Sequence, residues 1–64
     1  MKMYLGKELK VMSLDGTEQE FFAEVISITN TSFSVRIEDG DLVTMVEFYH
    51  ENKVDTFGEY MLLK

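Results

Sequence analysis

Cysteine, proline and tryptophan are absent from this 64-residue chain, and histidine occurs once, as His50. Without cysteine there is neither a disulfide nor a thiolate metal site. With a single imidazole, a metal site would need carboxylates such as Glu47 and Glu51, or ligands from a second subunit. Long apolar runs are missing too. No stretch reaches the roughly 18 residues of a membrane span, and the N-terminal MKMYLGKELK has no apolar signal segment. A cytoplasmic protein without membrane association is therefore expected, and Asn30-Thr31-Ser32 reads as a turn rather than a glycosylation site. Positive charge is scarce: six Lys and Arg stand against twelve Asp and Glu, for a net charge of −6. Between Asp15 and Glu59, eleven carboxylates face only Arg36 and Lys53. Such a surface repels phosphate backbones, so direct nucleic-acid binding is not expected. The one basic cluster is Lys2, Lys7 and Lys10.

What is present is a punctuated series of strand patterns. The length fits one domain spanning residues 1–64, and a core of that size rarely supplies more than roughly 3–5 kcal/mol. With disulfides excluded and metal disfavoured, association with a second copy is the stabilising device left open. The strongest pattern is FFAEVISITNTSFSVRIEDG, Phe21 to Gly40. Phe33, Val35 and Ile37 alternate with Ser34, Arg36 and Glu38, as in a strand with one buried face. Before them, Phe21, Ala23 and Val25 share one parity and Ile26 and Ile28 the other, which predicts a bulge or sharp bend. Leu5 to Leu14 reads as the first strand, closed by the Asp15-Gly16 turn. Leu42 to Tyr49 is apolar on both parities, and Phe57 to Leu63 forms the last run. Five short strands separated by turn residues predict an all-β barrel or sandwich.

A rival pattern is α+β, with a short helix near 18–27. Thr17 and Glu20 match a capping box, and Phe21, Phe22, Val25 and Ile26 fall on one helical stripe. Thr56 and Glu59 repeat the box. The β-branched run Val25-Ile26-Ser27-Ile28-Thr29 favours the strand.

The segment from Lys7 to Glu38, KELKVMSLDG followed by FFAEVISITNTSFSVRIEDG, resembles the opening strands of small SH3-like and Sm-like barrels. In those, a strand ending in Asp-Gly precedes a bent strand of the form A-x-V-x-x-I-T. The resemblance covers about half the chain and implies a five-stranded barrel. It also implies kinship with the short acidic barrels encoded by Gram-positive bacteria, their phages and prophages. The peptide groove of SH3-like barrels and the RNA-binding rings of Sm-like ones do not carry over. Tryptophan and a basic surface, which those functions use, are missing here.

Nothing in the chain forms a catalytic motif: no nucleophile elbow, P-loop or paired histidines. His50, between Tyr49 and Glu51 at a polar break, reads as a solvated side chain, so catalytic, cofactor and metal sites are not assigned. Glu38-Asp39-Gly40-Asp41 is the densest carboxylate cluster, but the twelve-residue Ca²⁺ loop pattern is absent. The aromatics carry more information. Adjacent Phe21 and Phe22 point to opposite faces of a strand, so one of them leaves the interior. Val43, Met45 and Tyr49 make the same demand on their strand.

These features lead to a non-enzymatic protein-binding module that self-associates, and the resemblance implies a phage or prophage accessory or inhibitory protein. Phe21, Phe22, Val43, Met45 and Tyr49 are the candidate interface. Glu38, Asp39 and Asp41 are the candidate acidic contact with any basic protein partner, projecting solvated and unpaired from one turn. The first alternative is a polyanion mimic that occupies the groove of a DNA-binding protein. The second is a small-ligand binder built at a subunit interface.

Overall fold

The computed structural model describes residues 2–63. Its five strands are β1 (Glu8–Ser13), β2 (Glu20–Ile28), β3 (Ser32–Asp39), β4 (Leu42–Tyr49) and β5 (Tyr60–Leu63). They form one antiparallel sheet in the order β4-β3-β2-β1-β5. The sheet curls into a half-barrel consistent with a small SH3-like barrel. No helix occurs among the described residues, and none is long and apolar enough to cross a membrane.

β2 is the centre of the sheet and pairs on both sides, with β1 and with β3. This two-sided pairing overrides the helical stripe near 18–27. The Thr17–Glu20 box also fails locally, because Glu18 has φ +55°, outside helical backbone. The expected bend is a register shift between Val25 and Ser27. Val25 faces Val35, and after the shift Ile28 faces Phe33, so the change of parity is absorbed by one extra residue.

The turns follow their residue types. Asp39 pairs with Leu42, leaving Gly40 and Asp41 as a two-residue hairpin loop. Gly40 stands at the first central position with φ +62°, the place where a type II′ turn takes glycine. At the first connection the Asp15 carboxylate accepts from both the N–H and the hydroxyl of Thr17, at 3.0 and 2.7 Å. These two bonds, the hydroxyl's first, hold the Asp15 carboxyl below the usual carboxylate range.

One face of the curl is the core. Leu9, Val11, Ala23, Val25, Phe33, Val35, Ile37, Val46 and Phe48 are buried there. Phe33 and Phe48 stack with ring centroids 5.5 Å apart, and each buried side chain of this size contributes about 1.5–3 kcal/mol. Phe21 belongs to this face as well, half-buried and edge-on to Tyr60 at 6.3 Å. Phe22 is therefore the member of the pair that leaves the interior.

The first and last strands are shorter than their sequence patterns. Residues 5–7 still lie beside β2, where Gly6 N–H donates to Val25 O and Val25 N–H to Lys7 O. Phe57 precedes β5 in a turn: Gly58 N–H donates to Asp55 O at 3.0 Å, so the Thr56–Glu59 box caps no helix.

Candidate functional site

The outward face of the sheet carries the side chains that a core of this size leaves over. Phe22 is 62% exposed, and Met45, with Val43 beside it on β4, is 66% exposed. Tyr49 is exposed at the end of the same strand. The pairing register sets their neighbours. Val43 lies opposite Glu38, and Glu38 sits one residue beyond the Ala23–Ile37 pair, beside Phe22. Met45 lies opposite Arg36, which lies opposite Glu24, itself opposite Glu8. Apolar and acidic side chains thus share one surface, and Phe22, Val43, Met45 and Tyr49 of the candidate set all reach it. Phe21 does not.

Electrostatics on this face are more internally balanced than the net charge suggests. Arg36 Nη2 donates to Glu38 Oε2 at 2.8 Å and Nη1 lies 3.9 Å from Glu24 Oε1. The expectation that Glu38 is free of partners within its strand is therefore corrected. Residues two apart on a strand share a face, which brings Arg36 to it. Lys10 Nζ lies 3.2 Å from Glu20 and 5.5 Å from the Phe22 ring centroid. Asp39 and Asp41 remain exposed at the hairpin loop. The solvent-exposed pairs contribute little to stability. Their effect is to cancel charge beside the apolar side chains.

His50 takes a structural part. Its Nε2 lies 2.8 Å from the Thr29 carbonyl oxygen, which only accepts, so Nε2 carries the proton. Its ring leans on Phe33 at 5.7 Å. Glu47 points elsewhere, its Oε2 accepting from the buried Ser32 hydroxyl at 2.6 Å. His50, Glu47 and Glu51 are not brought together, and no group of three His, Cys, Asp or Glu assembles among the described residues.

Two further residues shape the site, Asp55 and Phe57, and neither belongs to the candidate set. Asp55 is only 4% exposed, and its carboxylate accepts from the N–H groups of Phe57, Glu59 and Tyr60 at 3.2, 2.6 and 2.7 Å. The turn so fixed holds Phe57 at its tip, 83% exposed. Thr56 N–H donates to Glu47 O at 2.9 Å and ties the same turn to β4. Asp at the first and Gly at the fourth turn position is the available signal, in Asp55-Thr56-Phe57-Gly58.

The segment before this turn finishes one edge of the sheet. Asp55 N–H donates to Tyr60 O and Leu62 N–H to Lys53 O, with Val54 bridged to Met61, so the outer edge of β5 is covered. β4 and β5 are the two ends of the strand order and are not paired with each other. No protein-family model matches this chain, and neither a curated protein nor a solved structure matches it.

Proposed function

We propose that this chain is a non-enzymatic protein-binding module that self-associates through the outward apolar side chains of β4 and of Phe22 on β2. The observation that carries the reading is the set of Phe22, Val43, Met45 and Tyr49, left in solvent by a chain with no disulfide to stabilise it. Exposed apolar side chains held on a sheet need no backbone ordering when they meet a partner, and they mark interaction surfaces. Phe57 adds a fifth anchor on a turn preorganised by Asp55. The reading places the protein in the cytoplasm. An accessory or inhibitory role in a phage or prophage rests on the resemblance of its opening strands, and the gene's neighbours would test it.

A heterologous partner in this reading is basic, and Asp39 and Asp41 at the hairpin loop meet it first. Rim charges of that kind raise the association rate more than the affinity, and salt screens them. The polyanion-mimic alternative draws on the net charge of −6 alone. The pairs made by Arg36 and Lys10 weigh against it, because these two cations offset most of the charge of Glu24, Glu38 and Glu20 on the face that would imitate a phosphate array.

Sedimentation equilibrium of the unmodified chain over a wide concentration range tests the proposal. The average mass is expected to rise towards that of a dimer. A monomer mass at every concentration would overturn it.

A further inference from the structure

We infer that the association runs through backbone pairing: residues 42–46 of β4 join antiparallel to the same residues of a second copy, about a two-fold axis at Thr44. The inference rests on the self-association proposed above and names its mode.

The first ground is the hydrogen-bond pattern. Backbone groups of alternate residues along a strand point to opposite sides. The Glu47 carbonyl points away from β3, since it accepts from Thr56. The N–H and C=O groups of Val43 and Met45 therefore point the same way, and no backbone bond of the described residues reaches them. Leu42, Val43 and Met45 flank this edge, all exposed. Soluble proteins blunt such edges with lysine, proline, a bulge or a covering segment. Here none of these is present over residues 42–46.

The second ground selects the partner. A head-to-tail arrangement would need the other sheet edge, and residues 53–55 already occupy it. The edge that remains is that of β4, so association through the sheet of two identical chains is like-to-like, which closes as a dimer. The third ground sets the register. Thr56 occupies the position beside Glu47, so a partner strand runs no further than residue 46. Centring on Thr44 respects that limit: Val43 exchanges both its bonds with the partner's Met45, and Met45 with the partner's Val43. Their apolar side chains then face each other across the new pair on the outward surface. Beyond the paired residues, Asp41 of one copy approaches Glu47 of the other, and both copies carry −6. Salt therefore strengthens this dimer, the opposite of its effect on a complex with a basic partner.

The cysteine-free sequence permits a direct test. Opposed residues of a pair without mutual hydrogen bonds approach to about 4.5 Å between Cα atoms, within the reach of a disulfide. The Thr44→Cys and Phe22→Cys variants are each incubated with oxidised glutathione, and covalent dimer is followed with time, alongside sedimentation of the unmodified chain. Thr44→Cys is expected to cross-link roughly tenfold faster or more, in line with intramolecular effective concentrations, and faster at high salt. Fast cross-linking of Phe22→Cys with slow cross-linking of Thr44→Cys would mean that sheet faces pack and edges do not. That result overturns the edge pairing and leaves self-association standing. A dimer by sedimentation with neither variant cross-linking also overturns the edge pairing. A monomer throughout overturns both.

Discussion

The outer edges of β5 and of β4 belong to the same sheet, yet one is closed by its own chain and the other is left open over residues 42–46. At β5 the closing segment, 53–55, turns back through Asp55, whose buried carboxylate organises the following turn. At β4 the chain around that segment reaches only the end of the strand, Thr56 donating to Glu47 O and Asn52 to Tyr49 O. The chain thus has the means to cover an edge and applies it to one side. The open side also carries Leu42, Val43 and Met45, which are costly to leave in water. An edge of that composition is a surface for pairing, and the covered edge is the internal control.

The largest effect belongs to the core that both edges depend on. Phe48→Ala removes one ring of the stack with Phe33, and such losses cost about 3–5 kcal/mol, comparable to the whole stability expected of a core this size. Urea denaturation should find this variant unfolded or nearly so. A smaller effect separates the edges. Asp55→Ala removes the acceptor of three N–H groups and should cost about 1–3 kcal/mol. It should also uncover β5, so that the Leu62 amide exchanges faster while the β3–β4 ladder keeps its protection. Met45→Lys acts on the open edge alone. The monomer should change by no more than about 0.5 kcal/mol, as exposed substitutions do, while dimerisation is lost.

The smallest effect lies away from both edges, at the Asp15 turn. Its folded carboxyl lies below the ordinary carboxylate range because Thr17 donates to it twice. A depressed carboxyl stabilises the fold above its unfolded value, and that contribution is lost as pH falls through the folded value. Asp15→Asn should therefore lower stability slightly in the neutral region and converge with the unmodified chain in acid, which flattens the acid limb of a stability–pH curve. An acid limb of unaltered slope would show that the turn contributes nothing there.

Much of this arrangement was legible in local sequence. The alternation of Phe33, Val35 and Ile37 marks β3, and the parity change after Val25 marks the bulge, because both depend on neighbours along the strand. Asp-Gly pairs mark two of the turns for the same reason. The choice between Phe21 and Phe22 follows the parity of Ala23 and Val25, which the structure turns inward, and Tyr60, far along the chain, packs edge-on to Phe21. The Arg36–Glu38 pair is legible in its two-residue spacing along the strand. Asp55 was hidden: its burial follows from the return of 53–55 onto β5. Which edge stays open is the least local property of all. It depends on where a single segment between β4 and β5 comes to rest.

Amide hydrogen exchange of the unmodified chain across a concentration series tests the comparison most directly. At low concentration the Val43 and Met45 amides should exchange fast, while Thr44, Val46 and Leu62 are protected by β3 and by Lys53. As concentration rises, Val43 and Met45 should slow selectively and Leu62 should not change. Val43 and Met45 amides that are protected at the lowest concentration, or that stay fast while the average mass rises, would contradict the account.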